Sequence, residues 1–328
     1  MARQKFNILA VAQSGRLEYE AVILATSLRL ADPDFPGTLF IAEPQPGPLW
    51  GNDDPRIGSA TRALLKELDA EILPFRSEAF GARYPNGNKI EALAVLPDEP
   101  FLFLDTDTIV TGSFAGVEFD FDRPSASMKR ENTWPQEELY GPTVGQTWKA
   151  LYDQFGIPFE PTLDLAEPED HWRRYLYFNA GWFFHASPRA FGDRYLDWAK
   201  RMWFDRPEIV ECQPMDPWLD QAVLPLVIAS FGGGRPGPML DGLDGDVTCH
   251  WRVLPLMFAR EGDRAVEMMR RLAAQSAVRP VLQKYPPARK MLYEGQGDKV
   301  RALFDRNNLP RKEQAIRNQI KREGLWTR

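Results

Sequence analysis

Apolar residues first gather in a compact run at Phe6–Ala12. The run breaks at Gln13-Ser14-Gly15, and apolar positions then recur at helical spacing through Leu17–Leu30. Positions 21, 22, 24, 25, 28 and 30 are apolar and Glu18 and Glu20 lie in the first turn, so a strand followed by an amphipathic helix is expected. The same logic predicts a strand at Thr38–Ala42, a helix at Ala60–Leu68, a strand at Glu71–Phe75, a helix at Lys89–Leu96 and a strand at Phe101–Leu104. Strands alternating with helices are the signature of βαβ units and a mainly parallel sheet. Beyond residue 110 the texture changes. Two further strands are expected at Ser125–Met128 and Tyr177–His185, separated by a stretch dense in Trp, Pro and acidic residues, with helices at Ala190–Arg201 and Pro217–Ile228. A last helix is expected to open at Pro310 and close at Gly324.

Composition narrows the class. Over 328 residues, 40 Lys and Arg oppose 46 Asp and Glu, a net charge of −6, and the hydrophobic share is 44%. That is globular usage, and the acidity argues against nucleic acid as a partner. The 28 prolines exceed the average of about 5%. They gather with glycine in the segments 43–55, 84–87, 141–168 and 232–238, as shaped loops around a crevice would. Two cysteines, Cys212 and Cys249, exclude a disulfide scaffold and are expected to be buried free thiols. The basic start and Phe6–Ala12 mimic a short signal sequence, but the run is short and leads straight into a helix pattern. A first strand and a cytoplasmic protein are the expectation. Of Trp172, Trp182, Trp198, Trp203 and Trp218, most are expected in the core.

The sharpest chemical signal follows the strand at 101–104, where Asp105-Thr106-Asp107 places two carboxylates two residues apart. On an extended backbone both project to one side, at the end of a strand that borders the ligand crevice of an open α/β sheet. Two carboxylates held so close repel unless a cation neutralises them. Mg²⁺ or Mn²⁺ is the natural solution, and such ions usually engage phosphates as well. A phosphatase of the haloacid-dehalogenase type resembles this stretch superficially. Here the fifth position is Ile109, and Gly245-Asp246 leads to His250 rather than to a second Asp.

The chain as a whole resembles the GT-A fold nucleotide-sugar glycosyltransferases, in particular the retaining family 8 type, over about residues 6–255. The resemblance is carried in order by Asn88-Lys89-Ile90, Asp105-Thr106-Asp107, Phe178-Asn179-Ala180-Gly181, Asp220-Gln221 and His250. It implies a GT-A-like α/β fold and a metal-dependent glycosyltransferase that takes a nucleoside diphosphate sugar, a UDP-sugar, as donor and retains configuration. Asp105, Asp107 and His250 would hold Mn²⁺ (or Mg²⁺), the imidazole slightly favouring Mn²⁺. Lys89, Thr106, Asn179, Ala180 and Gly181 would bind the donor, Asp220 would accept from a sugar hydroxyl, and Gln221 would lie by the anomeric carbon. The family's base-contacting acidic residues after the first strand are replaced here by Gln13-Ser14-Gly15-Arg16, and Ala12, Gln13 and Ser14 are expected to contact the donor. Arg252 stands in for the family's diphosphate-binding Gly and Lys. Read singly, His250 also suits a packed core histidine, Asn179 a satisfied buried amide, Asp220-Gln221 an exposed helix face and Lys89 a solvated charge. A sugar-phosphate nucleotidyltransferase and a non-catalytic nucleotide-sugar-binding protein stay open. The Gly-rich, basic loop of the former is missing.

The expected organisation is one GT-A-like domain over 1–280, with a nucleotide-binding half to about 110 and an acceptor-side half beyond it, then a basic helical extension over 281–328. Residues 299–328 hold nine Lys and Arg against three Asp and Glu. Ile316 and Ile320 share one face of the last helix, which is expected either to dock on the acidic body or to touch a membrane surface carrying a carbohydrate or glycolipid-type acceptor.

Overall fold

The computed structural model describes residues 3–129, 132–138 and 140–328. The first run, β1 (Asn7–Val11), is buried along its whole length, as a central parallel strand must be. Gly15 turns the chain at φ +90°, a conformation that only glycine adopts cheaply, and α1 (Arg16–Ala31) follows. Then come β2 (Leu39–Pro44), α2 (Ser59–Glu67), β3 (Ala70–Phe75), the short α3 (Asn88–Glu91), β4 (Phe101–Leu104), β5 (Thr108–Val110), β6 (Ala126–Ser127), α4 (Val144–Gln154) and β7 (Asn179–His185). The helix expected over 89–96 is α-helical only to Glu91 and tightens to a 3₁₀ turn over Ala92–Val95.

Six of these strands, all but β5, form one sheet in the order β3-β2-β1-β4-β7-β6. Strands β1 to β4 run parallel, and β7 runs against both β4 and β6. The mixed, mainly parallel sheet flanked by helices is the GT-A-like architecture that the sequence leads one to expect. Side chains alternate across it. Ile8, Ala10, Leu102, Leu104 and Trp182 join one core, whereas Leu9, Val11, Phe101, Phe103 and Phe183 join the other.

The second half supplies α5 (Pro188–Phe204), α6 (Leu219–Ser230), β8 (Thr248–His250), α7 (Leu254–Arg260), α8 (Asp263–Ala273), α9 (Arg279–Leu282), α10 (Pro286–Ala288), α11 (Gln296–Ala302) and α12 (Glu313–Arg322). Helices α5 and α6 cover the face that carries Phe103. Helix α1 covers the opposite face together with α7 and α8, and the C-terminal helices complete that core. The last helix starts at Glu313 rather than Pro310, because Lys312 is still extended and Glu313 is the first side chain anchored to the body. Ile316 and Ile320 are buried in the same core as α1. The apolar stripe that a membrane surface would need is therefore used in packing.

Two further expectations are corrected. Cys249 is buried but Cys212 is exposed, since it follows a surface turn rather than a strand. Of the five tryptophans, Trp182 is fully buried, while Trp198, Trp203 and Trp218 pack half-exposed against the core rim. No helix among the described residues is long and apolar enough to cross a membrane.

Candidate functional site

The sheet opens onto a cavity of about 260 Å³ at the end of β4. Strand β4 stops at Leu104, so Asp105 and Asp107 occupy the turn into β5 rather than an extended strand. The turn is closed by the Thr108 N–H, which donates to the Asp105 carbonyl at 3.1 Å. The carboxylates converge through this turn and not through strand alternation. Strand β5 pairs antiparallel with β8, with Thr108 opposite His250, and this two-stranded ribbon delivers the imidazole. Asp107 Oδ1 lies 3.0 Å from His250 Nε2. Ligand-type atoms of Asp105, Asp107 and His250 all lie within 4.8 Å of one another. Two carboxylates and one imidazole at that spacing are a donor set that fits a divalent ion.

The electrostatics of the site are strongly coupled. Burial pushes the Asp107 carboxyl up, yet His250, Arg16 and Lys89 outweigh it and hold the group at about 2. Burial and the neighbouring Asp107 charge push Asp105 upward despite Lys89. His250 is desolvated, which lowers its basicity, but Asp107 and Asp105 raise it above the ordinary value. Glu20 on α1 is raised well above the carboxylate range by burial and by Asp107.

Lys89 is buried at the centre of the site. Its ammonium contacts Asp105 Oδ1 at 2.9 Å, Asp220 Oδ2 at 3.2 Å and the Ala180 carbonyl at 3.2 Å. Those three acceptors take its three donors, so it binds β4, α6 and β7 together instead of reaching out as a solvated charge. Asp220 also accepts from the Tyr84 hydroxyl at 2.8 Å, and its main-chain carbonyl accepts from Tyr195 at 2.6 Å. Burial pushes both phenols upward and keeps them as donors. Asp220 is thus buried, not part of an exposed helix face. Gln221 lines the cavity, and its Oε1 accepts from the Tyr177 hydroxyl at 2.8 Å.

Asn179 Oδ1 accepts from the Gly181 N–H at 2.8 Å, which turns the start of β7 across the cavity wall. Gly181 itself lies behind His250. Thr106, Asn179, Ala180 and Arg252 line the cavity as expected, but Ala12, Gln13 and Ser14 do not. Ala12 continues the β1 ladder to Ala42, Gln13 accepts from Asn88, and Ser14 is bonded to Pro55 and Asp54. In their place Arg16 reaches the cavity, with its guanidinium 3.5 Å from Asp107 Oδ2 and 2.8 Å from Glu20 Oε1. Arg16, Tyr84 and Tyr177 carry no site role that the sequence alone assigns. A guanidinium in the first turn of α1, facing the two aspartates across the strand ends, was the one signal available for any of them.

A family model described as the Rhodobacterales glycosyltransferase domain matches residues 8–232, more than half of the chain. The chain belongs to this family. It is therefore a glycosyltransferase, and the matched segment carries β1 to β7 with the aspartate turn and the Asp220-Gln221 pair. No curated protein matches it. Among solved structures, it is similar to the galactosyltransferase LgtC in complex with donor and acceptor sugar analogs, at 17% identity over 71% of this chain and 73% of that one, TM-score 0.41. It is also similar to the glycosyltransferase GlyE of Streptococcus pneumoniae TIGR4, at 14% identity over 71% and 45%, TM-score 0.38. A third likeness is to the bifunctional WbbM, at 11% identity over 87% and 52%, TM-score 0.47. These are similarities of form, and the family assignment rests on the domain match.

Proposed function

We propose that this glycosyltransferase moves a sugar from a nucleoside diphosphate sugar, a UDP-sugar, to a carbohydrate or glycolipid-type acceptor, with a divalent ion and with retention of configuration. The observation that carries the reading is the convergence of Asp105, Asp107 and His250 on the cavity that Asn179, Ala180, Asp220 and Gln221 also line. Asp105, Asp107 and His250 would hold Mn²⁺ or Mg²⁺, and when bound the ion supplies positive charge for the departing diphosphate.

The protein's own groups account for the remaining roles. Arg16 and Arg252 line the cavity with guanidinium donors suited to phosphate oxygens. Asn179 and the small side chain of Ala180 line the cavity and leave room for a sugar ring, while Gly181 makes room for the His250 imidazole behind them. Lys89, Tyr84 and Tyr195 fix Asp220, whose carboxylate would accept from a sugar hydroxyl. Tyr177 orients Gln221 beside the position of the anomeric carbon, where its amide dipole would offset developing positive charge. Lys89 pairs with Asp105 and Asp220, and His250 lies against Asp107, each within 3.2 Å. The retaining outcome is carried by the resemblance to the family 8 type and not by these contacts.

The test is incubation of the purified chain with UDP-sugars and Mn²⁺, following nucleotide release and anomer by NMR. Sugar released or transferred with the donor's anomeric configuration supports the proposal. Binding without turnover across the UDP-sugars would reduce the site to a binding module, and an inverted product would remove the retaining assignment.

A further inference from the structure

Among the described residues, Arg252 is one of two non-glycine residues in the left-handed backbone region, at φ +68°. Such a conformation persists only where the surroundings hold it. The Arg252 carbonyl accepts from Arg16 Nη1 at 3.2 Å, which ties it to the start of α1. Its side chain lines the cavity and makes no hydrogen bond among the described residues. The guanidinium does have one neighbour of opposite charge, Glu313 at the start of α12, with Nη1 4.0 Å from Oε2.

Glu313 is itself rigidly placed. Oε2 accepts from Arg260 Nη1 at 2.8 Å and Oε1 from Arg317 Nε at 2.6 Å. Beneath it, Ile316 and Ile320 anchor α12 in the core. The carboxylate thus stands as a fixed negative post. It is close enough to bias the direction of the Arg252 side chain and too far to use up its donors. Its own charge is largely met by Arg260 and Arg317, so its repulsion of an approaching anion is small beside its effect on where the guanidinium points.

We propose that the C-terminal helix is a working part of the donor site, with Glu313 a positioning residue that holds the Arg252 guanidinium at the cavity edge for the donor's diphosphate. The assignment rests on the nucleotide-sugar reading above. It places a supporting residue of the site outside the segment 8–232 that the family model matches. Pre-aiming the side chain lowers the rotamer freedom lost when the phosphates bind.

A double-mutant cycle by titration calorimetry on the full chain tests this, with UDP and Mn²⁺ as the probe and uridine as the probe without phosphates. Glu313→Gln is expected to weaken UDP about fivefold, the effect of freeing one long side chain, and to leave uridine unchanged. In an Arg252→Gln background the same change is expected to do nothing further. Lys321→Gln, two turns further along α12 and set over Trp326 rather than Glu313, is expected to leave UDP affinity within about twofold. Should Glu313→Gln not fold, Glu313→Asp withdraws the carboxylate by one methylene and gives the same reading. Equal losses in both backgrounds, equal losses for uridine, or unchanged or tighter UDP binding each overturn the proposal. If wild type binds UDP but Arg252→Gln has no effect, this inference falls and the donor reading stands. If wild type binds no nucleoside diphosphate, the donor reading itself falls.

Discussion

Gly181 lies directly behind His250: a Cβ at position 181 would come within 2.5 Å of the imidazole Nδ1 and 2.7 Å of Asn179 Oδ1. The glycine is required by the ring's seat and not by backbone conformation. Gly181→Ala is expected to push the ring out of line with Asp107 and to weaken Mn²⁺ binding by about 10-fold or more, the usual effect of disturbing a ligand's support. Manganese titration followed by electron paramagnetic resonance reads this. Affinity equal to wild type would show that His250 does not ligate.

Metal removal is the companion test. Chelation is expected to abolish sugar transfer and added Mn²⁺ to restore it. Asp107→Ala should show no restoration at any manganese concentration. An enzyme that survives chelation would remove the ion from the reaction.

Lys89 is the cation shared by Asp105 and Asp220. Replacing it by Met leaves carboxylates without their partner in a desolvated setting, at a cost of about 3–5 kcal/mol. Urea denaturation monitored by tryptophan fluorescence measures it. Adding Asp220→Asn should recover part of the loss, since the two sites are coupled. A simple sum of the single effects would mean that the ammonium acts elsewhere.

Tyr177 holds the Gln221 amide by one hydrogen bond at 2.8 Å. Tyr177→Phe removes about 1 kcal/mol of orientation, which corresponds to about a fivefold fall in kcat with KM unchanged. A change confined to KM would place Gln221 in ground-state binding instead.

The His185 imidazole, at the end of β7, is pushed below its ordinary range by burial. The folded protein therefore keeps it neutral where the unfolded chain has already taken up a proton. Its contribution to stability is full above about 6.5 and is lost as pH falls through the depressed folded value. His185→Asn should flatten the difference in melting temperature between pH 7 and pH 5 relative to wild type. His250, whose basicity is raised, contributes with the opposite sign and is common to both proteins, so it cancels in the comparison.

The strands and helices of the βαβ region were legible because β1, β2 and β4 are continuous apolar runs and α1 is a long apolar stretch, buried on all sides from Glu20 to Leu28. The ribbon of β5 and β8 was not. Each strand is three residues long, and neither has a pattern apart from its partner. Helix α4 lay hidden in the Pro- and Trp-rich stretch, although Thr143 and Gln146 form a capping box at its start. In the site, Asp105 and Asp107 were visible as a pair, but their convergence comes from a turn. The roles of Tyr84, Tyr195 and Arg16 depend on where distant elements meet, which local spacing does not encode. The segment Ala12-Gln13-Ser14 looked like a ligand contact because it follows β1, but its polar groups are spent on neighbouring loops.

The pairing of β5 with β8 also sets the order in which this centre can come into being. During synthesis, His250 leaves the ribosome about 140 residues after Asp107, so the last corner of the ligand triangle closes through a long-range contact. A nascent chain that stops at residue 232 has all six strands of the main sheet and both aspartates, but β5 has no strand to pair with. Competence for metal would then arrive as a late, separate step, with the acidic turn already formed and waiting for its imidazole.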